Sequence, residues 1–363
     1  MSGDHAYIGV NNGLGVAKSM TYMRTGENGR RIRNISELAK LAGVSAGTVS
    51  RALAGKDLVN RQTRERIQAL AREHGFRPNQ MASRLRTGHT GVIGIVIPLG
   101  HARGQLLSDP FFMSLIGHIT DAVSERGHDV MLSRVIPDGE DDWLERVTDS
   151  GMIDGVLMIG QSDQYEAIER VAAEYAPLVV WGTHQPGQVH CSVGTDSLVG
   201  GRKAAEHLLA QGRRKLAFFG ETSGIEIAQR LAGAQAAVAE SGTGATLQHL
   251  PTSLAVDREV TEVAEHLDRM DPATDAIFAA SDVIAMAILR VLHERGRKVP
   301  EDIAVIGYDD LRMGLQTMPR LTTVRQDIAE GARAMVDSLF RRMGGEDVKP
   351  TIMDPEVVVR ESA

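Results

Sequence analysis

The chain has 363 residues, of which 42% are hydrophobic, with one cysteine and a net charge of -7. That length suits one large two-lobed body plus a small module better than a single ordinary domain. No apolar run reaches the roughly 18 residues of a membrane-spanning helix, Met1 to Met20 lacks the basic-then-apolar order of a secretory signal, and the lone Cys191 excludes an internal disulfide framework, as expected of a cytoplasmic protein.

The charge is unevenly spread. Residues 30–91 carry 13 Lys and Arg against 4 Asp and Glu, a net of +9, while residues 1–29 balance and the remainder is strongly acidic. A basic module on an acidic body points to a polyanionic partner for the module alone.

Residues 1–30, rich in Gly, Asn and Met without a clear period, read as a mobile leader. Residues 31–77 read as a helix-turn-helix unit. Asn34 caps a helix with Ile35, Leu38, Ala39 and Ala42 on one face, and Gly43 breaks it. Ser45 caps a second helix running to about Ala54. Asn60 caps a third from Arg61 to His74, stopped by Gly75. The second helix would enter a major groove by its N-terminal end. There Ala46 and Gly47 permit close approach or a thymine-methyl contact, Thr48 and Ser50 suit phosphates, and Arg51 can donate twice to a guanine. Gly43 to Gly47 also fits the G-x-S-x-G nucleophile pattern, but that motif needs a strand before the serine and here a helix precedes it. Residues 78–91 read as a hinge helix and linker opened by Pro78.

From Val92 onward continuous apolar runs alternate with amphipathic helical stretches: strands at 92–98, 129–133, 155–160, 177–182, 215–220, 276–280 and 303–308, and helices near 112–126, 197–211, 226–240, 258–269, 282–295 and 327–343. Apolar strands separated by helices imply parallel sheets covered on both faces. Their number exceeds one compact sheet, so residues 92–363 are expected to form two doubly wound lobes with a cleft between them. Ligands of such lobes bind beyond the strand C-termini. Polar and aromatic residues at those ends are Asp109 with Phe111 and Phe112, Trp181, Ser281, Asp309 and Gln326. Asp282 and Asp310 read as caps, and Glu221 and Glu226 as surface residues. His190 and Cys191 are adjacent but lack a second pair at metal spacing, so no metal or other cofactor is expected, nor is a catalytic motif present.

The segments VSAGTVSRAL (44–53) and TRERIQALAREHGFRPNQMASRLRTG (63–88) resemble the lactose-repressor/galactose-repressor (LacI/GalR) family, and weaker similarity runs through the core to about residue 326. The resemblance implies an N-terminal all-α helix-turn-helix domain with a hinge helix, then a two-lobed periplasmic-binding-protein-like α/β core for effector binding and dimerisation. It implies a repressor of carbohydrate-utilisation genes, released from a palindromic operator by a sugar or glucoside, acting as a cytoplasmic, nucleoid-associated homodimer. It places Asn60, Asn79, Ala82, Leu85 and Arg86 among the DNA-binding residues, with Leu85 as a minor-groove wedge. It assigns Arg230 and Asp309 to the effector, puts Asp196 near the crossover between lobes, and places Ser281 where the family commonly has asparagine. The terminal PEVVVRESA carries no leucine-heptad tail for a helical tetramer. A purine-type corepressor of the same fold, or a sugar-binding protein without a regulatory role, are the alternatives.

Overall fold

The computed structural model describes residues 32, 34–53, 58–76, 89–99, 104–137, 142–161, 163–255 and 259–363. The chain divides into two compact units, residues 1–83 and 84–363.

In the first unit, α1 (Ile35–Ala42), α2 (Ala46–Leu53) and α3 (Arg61–Glu73) follow from their caps. The Asn34 side chain accepts from the Glu37 N–H at 2.9 Å, Ser45 Oγ from the Thr48 N–H at 3.1 Å, and Asn60 from the Thr63 N–H at 2.8 Å. Gly43 sits at φ 63, the left-handed conformation that ends α1 and turns the chain. The small core joins Leu38 and Ala42 of α1, Val49 and Ala52 of α2, Ile67 and Ala71 of α3, and the flanking Val59 and Phe76. Two side chains of α3 close the free ends of its neighbours: Arg66 donates to the Ala42 carbonyl at 2.7 Å and Gln68 to the Ala52 carbonyl at 3.4 Å.

The second unit holds two six-stranded sheets. Its first lobe contains β1 (Val92–Pro98), α4 (Pro110–Glu125), β2 (Asp129–Val135), α5 (Trp143–Thr148), β3 (Gly155–Ile159), α6 (Tyr165–Glu174), β4 (Leu178–Trp181) and β5 (Cys191–Thr195). The second lobe contains α7 (Ser197–Ala210), β6 (Lys215–Phe219), α8 (Ile225–Glu240), β7 (Thr246–Leu250), α9 (Glu259–Arg269), β8 (Ala276–Ala279), α10 (Asp282–Glu294), β9 (Ala304–Asp309) and β10 (Thr322–Arg325). The chain then returns to the first lobe for α11 (Ile328–Met343) and β11 (Thr351–Met353) and ends in the second with β12 (Glu356–Val358). It therefore crosses between the lobes three times, at Asp196, at Gln326–Asp327 and at Asp354–Pro355. The strand orders are β11-β5-β4-β3-β1-β2 and β12-β10-β9-β8-β6-β7. Among the described residues, all pairings are parallel except that of β12 with β10.

Both faces of the inner strands are covered, which explains their unbroken apolar sequences. In β3 and β4, Leu157, Ile159, Val179 and Trp181 face α4 and α11, whereas Val156, Met158, Leu178 and Val180 face α5 and α6. In the second lobe Phe218, Ile277, Phe278 and Ile306 anchor a single large core. Strands β5, β7, β10, β11 and β12 and helices α5 and α6 were not among the expected elements. For β10 the reason is physical. Thr322 and Thr323 are fully buried, but their hydroxyls bond the Ala363 carbonyl at 3.0 Å and Asp282 at 2.6 Å, so a core strand carries polar letters.

Helices α7 and α8 cross with their backbones in contact. A Cβ on Gly201 would collide with the Arg230 carbonyl, and one on Gly233 with the Leu198 carbonyl. Replacement of Gly201 by alanine must push α8 away or distort it. We expect Gly201→Ala to lower stability by about 1–3 kcal/mol, the usual cost of overpacking, read as a drop in melting temperature; an unchanged melting temperature would show that the crossing yields freely.

Candidate nucleic-acid interface and ligand cleft

On α2 the Gly47 and Arg51 positions are exposed, whereas Thr48 and Ser50 are half-buried. Arg51 Nε folds back onto the Gly47 carbonyl at 3.1 Å, and Ser45 Oγ lies 2.9 Å from Thr48 Oγ1. A Cβ on Gly47 would meet nothing closer than Arg51 Nη2 at 3.7 Å. The fold therefore does not demand glycine there, although glycine costs a helix about 1 kcal/mol relative to alanine. Ala46 is half-buried and packs partly against the three-helix core. Asn60 has its side-chain oxygen committed to the cap of α3. Ser45 follows a helix and caps the next, which is not the geometry of a nucleophile elbow. Asn79, Ala82, Leu85 and Arg86 lie outside the described residues.

The cleft of the second unit opens where the strand order reverses, beyond the C-termini of β1 and β3 in one sheet and of β6 and β8 in the other. Its empty space, open solvent included, is about 780 Å³. Asp109, Phe111, Phe112, Trp181, Arg230, Ser281, Asp309 and Gln326 all line it, together with Gln105, Glu226 and several aliphatic side chains. These residues come from both lobes.

One polar node is built from α8, β9 and the crossover after β10. The Arg230 guanidinium lies over the Tyr308 ring at 3.7 Å, donates to the Ala280 carbonyl at 2.7 Å, and comes within 4.0 Å of Asp309. Gln326 donates to Asp309 at 2.7 Å. Asp309 itself adopts φ 117, a strained backbone region for a residue with a side chain. The loop is held by Asp282, whose carboxylate accepts from the Leu311 N–H at 2.7 Å and from Thr323. Asp282 was expected to be only a cap; it is fully buried and brackets the loop that aims Asp309. Asp310, expected as another cap, pairs with Arg325 at 2.7 Å and with Arg360. Burial pushes the Asp309 carboxyl up to about 7, against the opposing pull of Arg230 and Gln326. Burial, reinforced by Asp309, raises Asp282 as well.

Across the cleft, Asp109 caps α4 through the Phe111 N–H at 2.9 Å and accepts from Gln105 at 3.0 Å. Phe111 and Trp181 are tilted to one another at 58°, with ring centroids 6.0 Å apart. Ser281 spends its hydroxyl on the cap of α10 at 3.3 Å, although its residue still borders the cleft. Asp196 caps α7 and does not line the cleft. His190 Nδ1 lies 2.5 Å from Glu169, which engages it structurally.

Glu226 corrects the sequence reading. Expected on the surface, it is half-buried, lines the cleft and lies 3.4 Å from Gln161 of the opposite lobe. Its position four residues before Arg230 on one helix places both on one face, so this signal was present in the sequence. Gln105 and Gln161 carried no comparable signal, since each sits in a loop that only the lobe packing brings to the cleft or to Glu226.

A family model described as "Bacterial regulatory proteins, lacI family" matches residues 34–79, and one described as "Periplasmic binding protein-like domain" matches residues 205–363. Among curated proteins, the HTH-type transcriptional regulator CelR of Thermobifida fusca is 32% identical over 343 residues, covering 92% of this chain and 99% of the relative. A solved CelR–cellobiose complex superposes with a TM-score of 0.64 at 30% identity, covering 92% of this chain and 100% of that one. The lac repressor dimer bound to operator and the anti-inducer ONPF superposes at 0.79 with 23% identity, covering 91% and 98%; that likeness concerns the fold.

The raised Asp309 carboxyl has a defined consequence for stability. Between its unfolded value near 4 and its folded value near 7, the unfolded chain releases a proton that the folded chain retains, so stability falls as pH rises through this window. Below both values the contribution is constant. We expect Asp309→Asn to flatten the decline between pH 5 and pH 7, measured by urea unfolding at a series of pH values. Parallel pH profiles for variant and wild type would contradict the assignment.

Proposed function

We propose, for a chain that belongs to the lacI family of bacterial regulatory proteins, that it represses carbohydrate-utilisation genes from a palindromic operator and releases that operator when a sugar or glucoside fills its cleft. The chain is a helix-turn-helix DNA-binding transcriptional regulator and not an enzyme. In this reading residues 31–77 read DNA, residues 78–91 form the hinge and linker, and residues 92–363 bind the effector and dimerise. The protein works in the cytoplasm as a homodimer, because two half-sites require a two-fold partner.

The observation that carries the effector reading is the pairing of two chemistries across one cleft. Arg230, Asp309 and Gln326 offer donors and acceptors in fixed positions. Trp181 and Phe111 supply aromatic surface within the same cavity. A sugar ring presents hydroxyls at its rim and C–H groups on its faces, and so satisfies both. The cellobiose-bound relative supports the same ligand class. Binding of the sugar to one disposition of the lobes better than another would shift operator affinity, with a coupling typically of about 1–3 kcal/mol.

Gel shifts with a palindromic operator from upstream of the chain's own gene test the reading. Specific binding that weakens steeply with salt is expected, and its absence would remove the DNA assignment. Arg51→Ala should cost about 1–3 kcal/mol on the cognate operator and relax preference at one base pair per half-site. Uniform weakening on every sequence would assign Arg51 to phosphate alone. Asp309→Ala should abolish release by sugar while operator binding persists; normal release would refute the role of Asp309. A sugar that tightens operator binding would reverse the sign and make the protein a corepressor-type regulator.

A further inference from the structure

We infer, on the reading that the cleft holds a saccharide, that Glu226 is a positioning residue that bridges the two lobes and sets their separation around that ligand. Glu226 stands in the first turn of α8 in the second lobe. Its carboxylate faces the first lobe, accepting from Gln161 Nε2 at 3.4 Å and lying beside the Thr183 backbone N–H. Gln161 is itself anchored by donation to the Thr183 carbonyl at 2.8 Å. One turn further along α8, Gln229 accepts from the Thr183 hydroxyl at 2.7 Å. Two side chains of one helix thus grip a single residue of the opposite lobe, at the segment that follows β4.

The first lobe leaves room for this grip. A Cβ on Gly182 would stand 2.5 Å from Gln161 Nε2 and 2.8 Å from Glu226 Oε1. Both are ends of flexible side chains, so alanine there displaces the grip without obstructing any backbone. Gly224, at the N-cap of α8, has no side chain to offer, and the Glu226 carboxylate accepts from its own helix amide. Burial raises this carboxyl, and Arg230 opposes the rise. Because Glu226 also lines the cleft, a ligand seated on Arg230 and Asp309 meets the wall whose position the grip fixes. The span between lobes, and so the size of saccharide that fits, is set by this contact.

The test uses the full chain in three variants: Glu226→Ala, Gly182→Ala and, as a control at an exposed position of the loop that precedes α8, Glu221→Gln. Amide hydrogen exchange reads the Thr183 N–H directly. We expect it to exchange at least ten times faster in Glu226→Ala and Gly182→Ala, and at the wild-type rate in Glu221→Gln. Wild-type protection in either of the first two variants would overturn the bridge. Titration calorimetry then uses whichever of cellobiose, sucrose, ribose and glucose raises the wild-type melting temperature. Both bridge variants should bind it at least tenfold more weakly. Faster exchange with undiminished saccharide affinity would reduce Glu226 to a helix cap and overturn its positioning role. If none of the four sugars binds the wild type, the saccharide reading fails for this panel, and the exchange rates still decide the bridge.

Discussion

The second-lobe wall of the cleft is referenced to one contact, the crossing of α7 and α8 at backbone distance. Gly201 lies against the carbonyl of Arg230, Gly233 against that of Leu198, and Gly200 against the Tyr308 hydroxyl. The absence of side chains there fixes the depth and rotation of α8. That rotation decides where Glu226, Ile227 and Arg230 point. Tyr308 then forms the floor on which the Arg230 guanidinium rests, and the next residue along the chain is Asp309. A helix crossing with no adjustable side chains is thereby converted into the placement of a charged node.

The node is electrostatically expensive. Asp282 and Asp309 are buried near one another, and Arg230 is the guanidinium set against Asp309. Carboxylates removed from water lose hydration that few fixed donors restore. The raised Asp309 and Asp282 carboxyls are the expression of that cost. Asp309 adds backbone strain. Such a site is stabilised when hydroxyl donors arrive to satisfy its oxygens, which is a reason for a binding cleft to tolerate what a structural core would not. The small N-terminal unit shows the opposite economy: its helices are capped and the ends of α1 and α2 are closed by Arg66 and Gln68.

Legibility of the fold followed the range of the interactions involved. Asn34, Ser45 and Asn60 cap helices through bonds to residues three positions away, so the helix-turn-helix was readable from local spacing. Strands such as β1 and β3 were readable because burial on both faces leaves an unbroken apolar run. Strand β10 was not, because its threonines are satisfied by Asp282 and by the chain terminus about 41 residues away. The short β11 and β12 depend on partners supplied by β5 and β10. The residues at the strand ends were found because parallel α/β sheets place their binding crevice there, a rule that needs only the strand positions.

The sequence by itself determined the basic three-helix unit, the alternation of strands and helices, and the residues that terminate the strands at a cleft. These rest on period, capping and charge, all properties of neighbouring residues. Tertiary structure alone decided that the chain crosses between lobes three times, that Asp282 braces the Asp309 loop instead of merely capping a helix, and that Glu226 reaches into the opposite lobe. Each of these depends on which distant segments share a surface. Local periodicity sets the face that a residue occupies on its own element, whereas the element packed against that face is selected by the burial and hydrogen bonding of the whole unit.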